Sequence, residues 1–361
     1  MKYLIYLTLI AGFTLFNCST SEDSSNPIPI PTELYFPPID SDVWETSSLS
    51  ELNWSESALQ PLLDFLEDKN SKAFIILKDG KIAVEWYSSN FSATENHTWN
   101  SAAKTLTAYT IGIVQEEGFL NINDPSKDYL GDNWSSMTNI QEENVTVLNH
   151  LTMTTGLDYT VPNNSCTEPT NLLYKNEPDI YWCYHNAAYR LNLEIVAGAT
   201  SRTFSSYFNE KIKDKIGMQG AWVPFGCFNL YLSTARSMAR FGLLNLNNGV
   251  WDNTIILNDT AYLNAMTNTS QNLNRSYGYL WWLNGKDGFR LPVTEEDFTG
   301  KLIPNAPDDL YAGLGKDDQK MYVVPSKNLV VIRMGENAGE PTFGPSSFDN
   351  ELWQKINALI N

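Results

Sequence analysis

Ser101 and Lys104 stand three residues apart in the phrase Trp99-Asn100-Ser101-Ala102-Ala103-Lys104, where a segment with helical apolar spacing begins and runs to Glu117. Residues three apart on a helix share one face, so this spacing sets a hydroxyl and an amine within hydrogen-bonding range. A serine hydroxyl is a poor nucleophile until a neighbouring base takes its proton. Lysine can be that base where burial and the positive end of a helix both disfavour the ammonium form. The same spacing also arises from an N-cap serine followed by a solvent-facing lysine, and the pair alone does not separate the two. A second triplet, Tyr184-His185-Asn186, precedes the helical pattern Ala187 to Ala199. A phenol near a lysine ammonium is expected to have a depressed pKa suited to a general base, and the Asn186 amide can orient the lysine and bind a substrate carbonyl. Read without chemistry, the triplet is a helix cap with a buried aromatic. His185 is read as packing or pocket wall.

Other chemistries find little support. The three histidines, His97, His150 and His185, form no HExxH or similar arrangement, which argues against a dedicated zinc site. There is no G-x-S-x-G elbow, no Walker loop and no G-x-G-x-x-G, and Gly313-Leu314-Gly315-Lys316 lacks phosphate-loop spacing. A formal net charge of −18 disfavours a nucleic-acid partner. No metal or cofactor is called for, and what is left is a serine that works with a lysine.

The elements that must position these residues are legible in outline. Two β-type runs from Ala73 to Tyr87 flank Asp79-Gly80, a strong hairpin signal. A second β-rich block takes in Tyr277 to Trp282, Gln319 to Val324, and Leu329 to Met334 after the turn residues Pro325-Ser326-Lys327-Asn328. Helical patterns run over Lys104 to Glu117, Ala187 to Ala199, Ser233 to Asn247 and Glu351 to Ile360. The expected fold is α/β in the α+β sense, an antiparallel sheet built from N- and C-terminal segments and flanked by helices, with a mostly helical insertion at roughly 121–230. Residues 1–17 read as a signal peptide, because the apolar run is too short to span a bilayer. Leu15-Phe16-Asn17-Cys18 resembles a lipobox with Cys18 as the lipidated residue, residues 18–40 read as a tether, and 41–361 as the body. The protein is therefore expected to be exported and lipid-anchored to a bacterial envelope membrane. Export permits a disulfide, for which Cys166 and Cys183 are the expected partners, a bridge worth about 3 kcal/mol on chain entropy. Three buried free thiols are the alternative. Cys227 reads as a small core residue.

Several phrases together resemble the serine β-lactamase-like hydrolases, the group of class C β-lactamases, D-alanyl-D-alanine carboxypeptidases, related esterases and 6-aminohexanoate-dimer hydrolase. They are Ser101-Ala-Ala-Lys104, the run Glu116 to Pro125, Leu148 to Leu157, Ser233 to Gly242 and Tyr277 to Trp282. The resemblance implies a β-lactamase/transpeptidase-like fold and a two-step acyl transfer in which Ser101 attacks while Lys104 and Tyr184 handle the proton. It further implies that Asn186, Gly313 and Gly315 meet the substrate, with the backbone N–H groups of Ser101 and Lys316 as the oxyanion hole. The sequence departs from the family at Gly313, where a Lys or His would meet a carboxylate, and this shifts the expected substrate from β-lactams and D-Ala-D-Ala peptides toward an uncharged ester or amide. Trp99, Trp182, Trp281 and Trp282 are candidates for an acyl pocket or, alternatively, for core. A non-catalytic exported binding protein on the same fold is the reading from another class.

Overall fold

The computed structural model describes residues 34–341 and 343–361. The expected signal segment 1–17, Cys18 and the expected tether as far as residue 33 lie outside the described residues. Residues 34–40, expected to continue the tether, run instead along the body. The Tyr35 N–H donates to the Asp79 carbonyl at 3.0 Å, and the Arg240 guanidinium donates to the carbonyls of Pro37 and Pro38 at 3.4 and 2.7 Å. A proline-rich strip offers carbonyls without N–H groups, which suits a guanidinium. Among the described residues no helix is long and apolar enough to cross a membrane.

The hairpin signal is realised as β1 (Ser71–Lys78) and β2 (Lys81–Tyr87). Asp79 and Gly80 both take positive φ, 50° and 83°, the left-handed pair that matches strand twist in a two-residue turn. Three further features build the other end of the sheet: β7 (Tyr311–Gly315), β8 (Gln319–Val324) and β9 (Leu329–Gly335). With the short β6 (Trp282–Leu283) they form one six-stranded sheet in the order β2-β1-β9-β8-β7-β6, antiparallel throughout. The sheet thus joins the two chain ends, as expected. Tyr277–Trp282 differs: it is a buried reversal closed by a Tyr277–Trp282 bridge with Leu280 at φ 60°, because an apolar run fills a core equally well as a loop.

Helices cover both faces. On one lie α1 (Leu59–Asp68) and α5 (Ser347–Ile360), where Phe65 stacks on Phe348 and Trp353 meets Tyr322 of β8 edge-on. On the other lie α2 (Lys104–Glu116) and α4 (Ala235–Leu246). Successive strand residues face opposite sides, and while Tyr322 turns to α5, Met321 turns to Gly242 of α4, where an added Cβ would come within 2.5 Å of Val330. Helix α2 is buried continuously from Lys104 to Val114, as a helix through a core must be.

Between the two halves of the sheet, short helices at Lys127–Leu130, Asn139–Asn144 and Val147–Thr152 lead to α3 (Asn186–Thr200). A second apolar cluster, including Trp134, Val145, Leu157 and Leu172, seats Ala187, Ala188 and Leu191 and so fixes where α3 begins. The hairpin β4 (Ala221–Phe225) and β5 (Phe228–Ser233) follows, paired with β3 (His97–Thr98) just ahead of Ser101. Its inner face buries Trp222 and Tyr231 against Phe204 and Phe208.

The disulfide expectation is corrected here. Cys166 bonds Cys227 with Cα atoms 4.8 Å apart, and Cys183 is free. Nearness in sequence favoured Cys183, but its backbone N–H is held by the Met153 carbonyl and its side chain is buried beside Trp182, whereas the β4–β5 turn brings Cys227 to the loop of Cys166. Cys227 is half-buried in that bridge and not a core residue. Spanning 61 residues, the bridge is worth about 4 kcal/mol on chain entropy. Burial pushes the Cys183 thiol up, so it is a small apolar filler and no nucleophile.

Candidate active site

Ser101 lies in a 3-10 turn, Asn100–Ala103, that feeds directly into α2 at Lys104. In 3-10 geometry residues three apart eclipse, which brings the pair closer than an α-helical turn would. Lys104 Nζ stands 3.1 Å from Ser101 Oγ and 3.0 Å from Asn186 Oδ1. The amine is only 4% exposed as a residue and has no carboxylate partner among the described residues. It faces the rings of Tyr184 and Tyr189, with Nζ 4.9 and 4.3 Å from their centroids. Those ring faces favour the ammonium, burial opposes it, and burial prevails: the Lys104 pKa falls to about 7.

Tyr184 corrects a second expectation. Burial pushes its phenol well above the ordinary tyrosine value, and the hydrogen bond with Ser101 offsets this only in part. Lys104 sits over the ring face and not at the hydroxyl, so it does little to stabilise a phenolate. Tyr184 is therefore a neutral hydroxyl near pH 7. Behind it stand Trp282, stacked at 5.9 Å, and Trp182, whose ring also meets Trp282 and Tyr277. Trp99 and Trp281 are fully buried and pack with Phe241, as core.

His185 is the N-cap of α3. Its Nδ1 accepts from the Ala188 N–H at 3.2 Å, which requires a neutral ring, and burial lowers its pKa to about 4. Asn186, the first residue of α3, thus has a fixed backbone, with its amide presented to Lys104.

The strand β7 passes directly beneath the Ser101 turn. A Cβ at Gly315 would lie 2.4 Å from the Trp99 carbonyl oxygen and 3.0 Å from the Ala102 nitrogen, and one at Gly313 would lie 3.2 Å from the Ala102 carbonyl oxygen. Both glycines therefore face the nucleophile turn, and a side chain at 315 would force the neighbouring backbone to shift. Lys316 follows at once, its carbonyl accepting from Asn100 Nδ2 at 2.8 Å. The structure thus brings Ser101, Lys104, Tyr184, Asn186, Gly313, Gly315 and Lys316 to one place from three separate segments.

Three participants were not singled out from the sequence. Asn100 takes φ 46° and clamps Lys316; an asparagine just before the nucleophile was the available signal, since Asn tolerates the left-handed region. Tyr189 lies one helical turn after Asn186 and so shares its face. Ser165 Oγ accepts from Asn186 Nδ2 at 3.4 Å, and nothing in the sequence places that loop there.

Known proteins share this fold. Residues 66–349 match the family model described as Beta-lactamase. The fold is similar to that of a putative 6-aminohexanoate-dimer hydrolase from Bacillus anthracis, with TM-score 0.66 and 18% identity over 91% of this chain and 87% of that one. It is similar also to a putative beta-lactamase from Bacteroides dorei DSM 17855, with TM-score 0.67 and 18% identity over 85% and 99% of the two chains. A D-stereospecific amidohydrolase from Streptomyces shares the fold at TM-score 0.57 and 14% identity over 82% and 97%. No curated protein matches the sequence.

Proposed function

The chain belongs to the beta-lactamase family, and on that premise we propose that it is a serine hydrolase that cleaves a small, uncharged ester or amide through an acyl-enzyme on Ser101. The observation that carries this reading is the Lys104 amine, dry and without a carboxylate, 3.1 Å from the Ser101 hydroxyl and with a pKa near 7. A lysine serving only structure would be held as an ammonium by a carboxylate or by water. Here the unprotonated amine is available at neutral pH as a general base.

In the proposed mechanism Lys104 takes the proton of Ser101 as Oγ bonds to the substrate carbonyl carbon. The carbonyl oxygen becomes an oxyanion between the backbone N–H groups of Ser101 and Lys316. The leaving oxygen or nitrogen departs with the proton held on Lys104, while the neutral Tyr184 hydroxyl hydrogen-bonds at Ser101 Oγ, and the second step repeats this with water as the nucleophile. Asn186 keeps Lys104 aimed throughout. Gly313 supports the choice of substrate, since a cation to hold a carboxylate is missing at the position facing Ser101's turn. Proteins that share the fold include a D-stereospecific amidohydrolase, which supports an amide or an ester as substrate. We carry export and a lipid anchor on Cys18 as part of the proposal, supported by the lipobox-like phrase alone; palmitate incorporation lost in Cys18→Ser is the check.

The test is intact-mass spectrometry of the protein, with and without Ser101→Ala, after exposure to a fluorophosphonate, a penicillin and a short-chain p-nitrophenyl ester. A fluorophosphonate adduct lost in the alanine variant, with turnover of the ester and none of penicillin, is the expected result. No adduct from any reagent on folded protein refutes the hydrolase reading and leaves a binding protein.

A further inference from the structure

Asn186 is held from behind by a ring of contacts that closes through the disulfide. Its Nδ2 donates to Ser165 Oγ, and the next residue's N–H, Ala187, donates to the Asn164 carbonyl at 3.1 Å. Cys166 follows and is bonded to Cys227. From Cys227 the ring returns to α3, because Arg190, one turn beyond Asn186, donates to the Cys227 carbonyl at 2.5 Å. The two sides of the bridge differ in how they are anchored. The β4–β5 hairpin is rooted in the core by Trp222 and Tyr231, while none of residues 161–170 is buried. A segment with so little burial has little packing of its own to hold it in place.

We propose that the Cys166–Cys227 disulfide, with Ser165 beside it, is a positioning device for proton transfer: it lends the rigidity of the hairpin to Asn186 and, through Asn186, fixes the amine of Lys104. Its catalytic meaning rests on the function proposed above. The bridge itself touches no reacting atom. Titratable groups facing Lys104 are the phenols of Tyr184 and Tyr189, both neutral near pH 7, so the state of the amine is governed by how well water is kept out. With the bridge cut, the loop 161–170 moves off, Asn186 loses its backing and water reaches Lys104.

The experiment compares wild type with Cys166→Ser/Cys227→Ser, and with wild type reduced by dithiothreitol and reoxidised. The Lys104 titration is followed by 13C NMR at the lysine Cε, and Ser101 labelling by the fluorophosphonate rate. The expected result is a midpoint that moves from near 7 toward the ordinary lysine value, and labelling at pH 7.5 that slows about tenfold, since one to two pH units remove most of the unprotonated amine. Reoxidation restores both. A merely structural staple would lower resistance to urea and leave titration and labelling rate where they were, and that outcome in the folded double variant overturns the proposal. Should the double variant not fold, Ser165→Ala keeps the bridge and is expected to shift the midpoint in the same direction with labelling about threefold slower; no change there overturns the proposal too. If wild type is not labelled but the midpoint still moves on cutting the bridge, the positioning stands and the hydrolase reading falls.

Discussion

Replacing Lys104 by Met is expected to make the protein more stable while abolishing Ser101 reactivity. In the unfolded chain the lysine titrates at its ordinary 10.5, and in the folded protein at about 7. Between those values the unfolded state binds the proton and the native state does not, so native stability rises with pH across that interval and is lowest at its acid end. At about 1.4 kcal/mol per pH unit, a fall from 10.5 to about 7 amounts to about 5 kcal/mol of destabilisation at and below pH 7. Met is close in length and satisfied by the same rings of Tyr184 and Tyr189. Against this, the variant leaves Asn186 Oδ1 without its donor, at about 1–3 kcal/mol. A net gain of about 2–4 kcal/mol is expected at pH 7, shrinking toward pH 9.5 as wild type recovers. Urea unfolding of both proteins at several pH values from 6 to 9.5 measures it. A variant no more stable than wild type, or a difference that does not vary with pH, refutes the claim that Lys104 is held against its charge.

The fluorophosphonate rate at Ser101 should rise with pH to a half-maximum at about 7, where Lys104 loses its proton, with no falling limb below pH 9 because burial keeps Tyr184 protonated; stopped-time labelling checks this. In Gly315→Ala the new Cβ meets the Trp99 carbonyl at 2.4 Å, so β7 must back away from the nucleophile turn by about an ångström; labelling should fall about a hundredfold with a stability loss of about 1–3 kcal/mol. Asn100→Ala should lose about 2 kcal/mol in urea unfolding, from the left-handed backbone and the lost clamp on Lys316, whereas Asn100→Gly should recover most of the stability but not the labelling rate.

Much of this site could be read from residue types and spacing, and the limits of that reading are physical. Asp79-Gly80 and Pro325-Ser326-Lys327-Asn328 announce their turns because few residues adopt the dihedrals needed, so the hairpin β1–β2 and the strands β8 and β9 fell where expected. Tyr277–Trp282 did not, since burial on all sides removes the periodicity that separates strand from loop. The Ser101–Lys104 pairing follows from one turn of helix, a local relation. The state of Tyr184 does not: it depends on whether an amine lies at the hydroxyl or over the ring, and that orientation is set by α2 and α3 together. The disulfide is of the same kind, for Cys227 reaches Cys166 only through the register of β4 and β5.

The arrangement also accounts for the departure at Gly313. On the proposed function a lysine base that works unprotonated must sit where charge is costly, and Lys104 sits in a helix buried from its first residue, at the helix end that repels a cation. A second cation at 313, facing the same turn, would lower the Lys104 pKa further but would attract carboxylates and draw water toward the amine. With glycine there, no cationic side chain stands at 313, and the chain as a whole carries −18. On the proposed function, anionic substrates are then expected to be disfavoured both at a distance and at the reacting centre. In the proposed reaction an uncharged acyl group brings no charge into the pocket and keeps the amine dry, so the new charges are the Lys104 ammonium and the oxyanion beside it, the latter at the backbone of Ser101 and Lys316, where Asn100 clamps the Lys316 carbonyl.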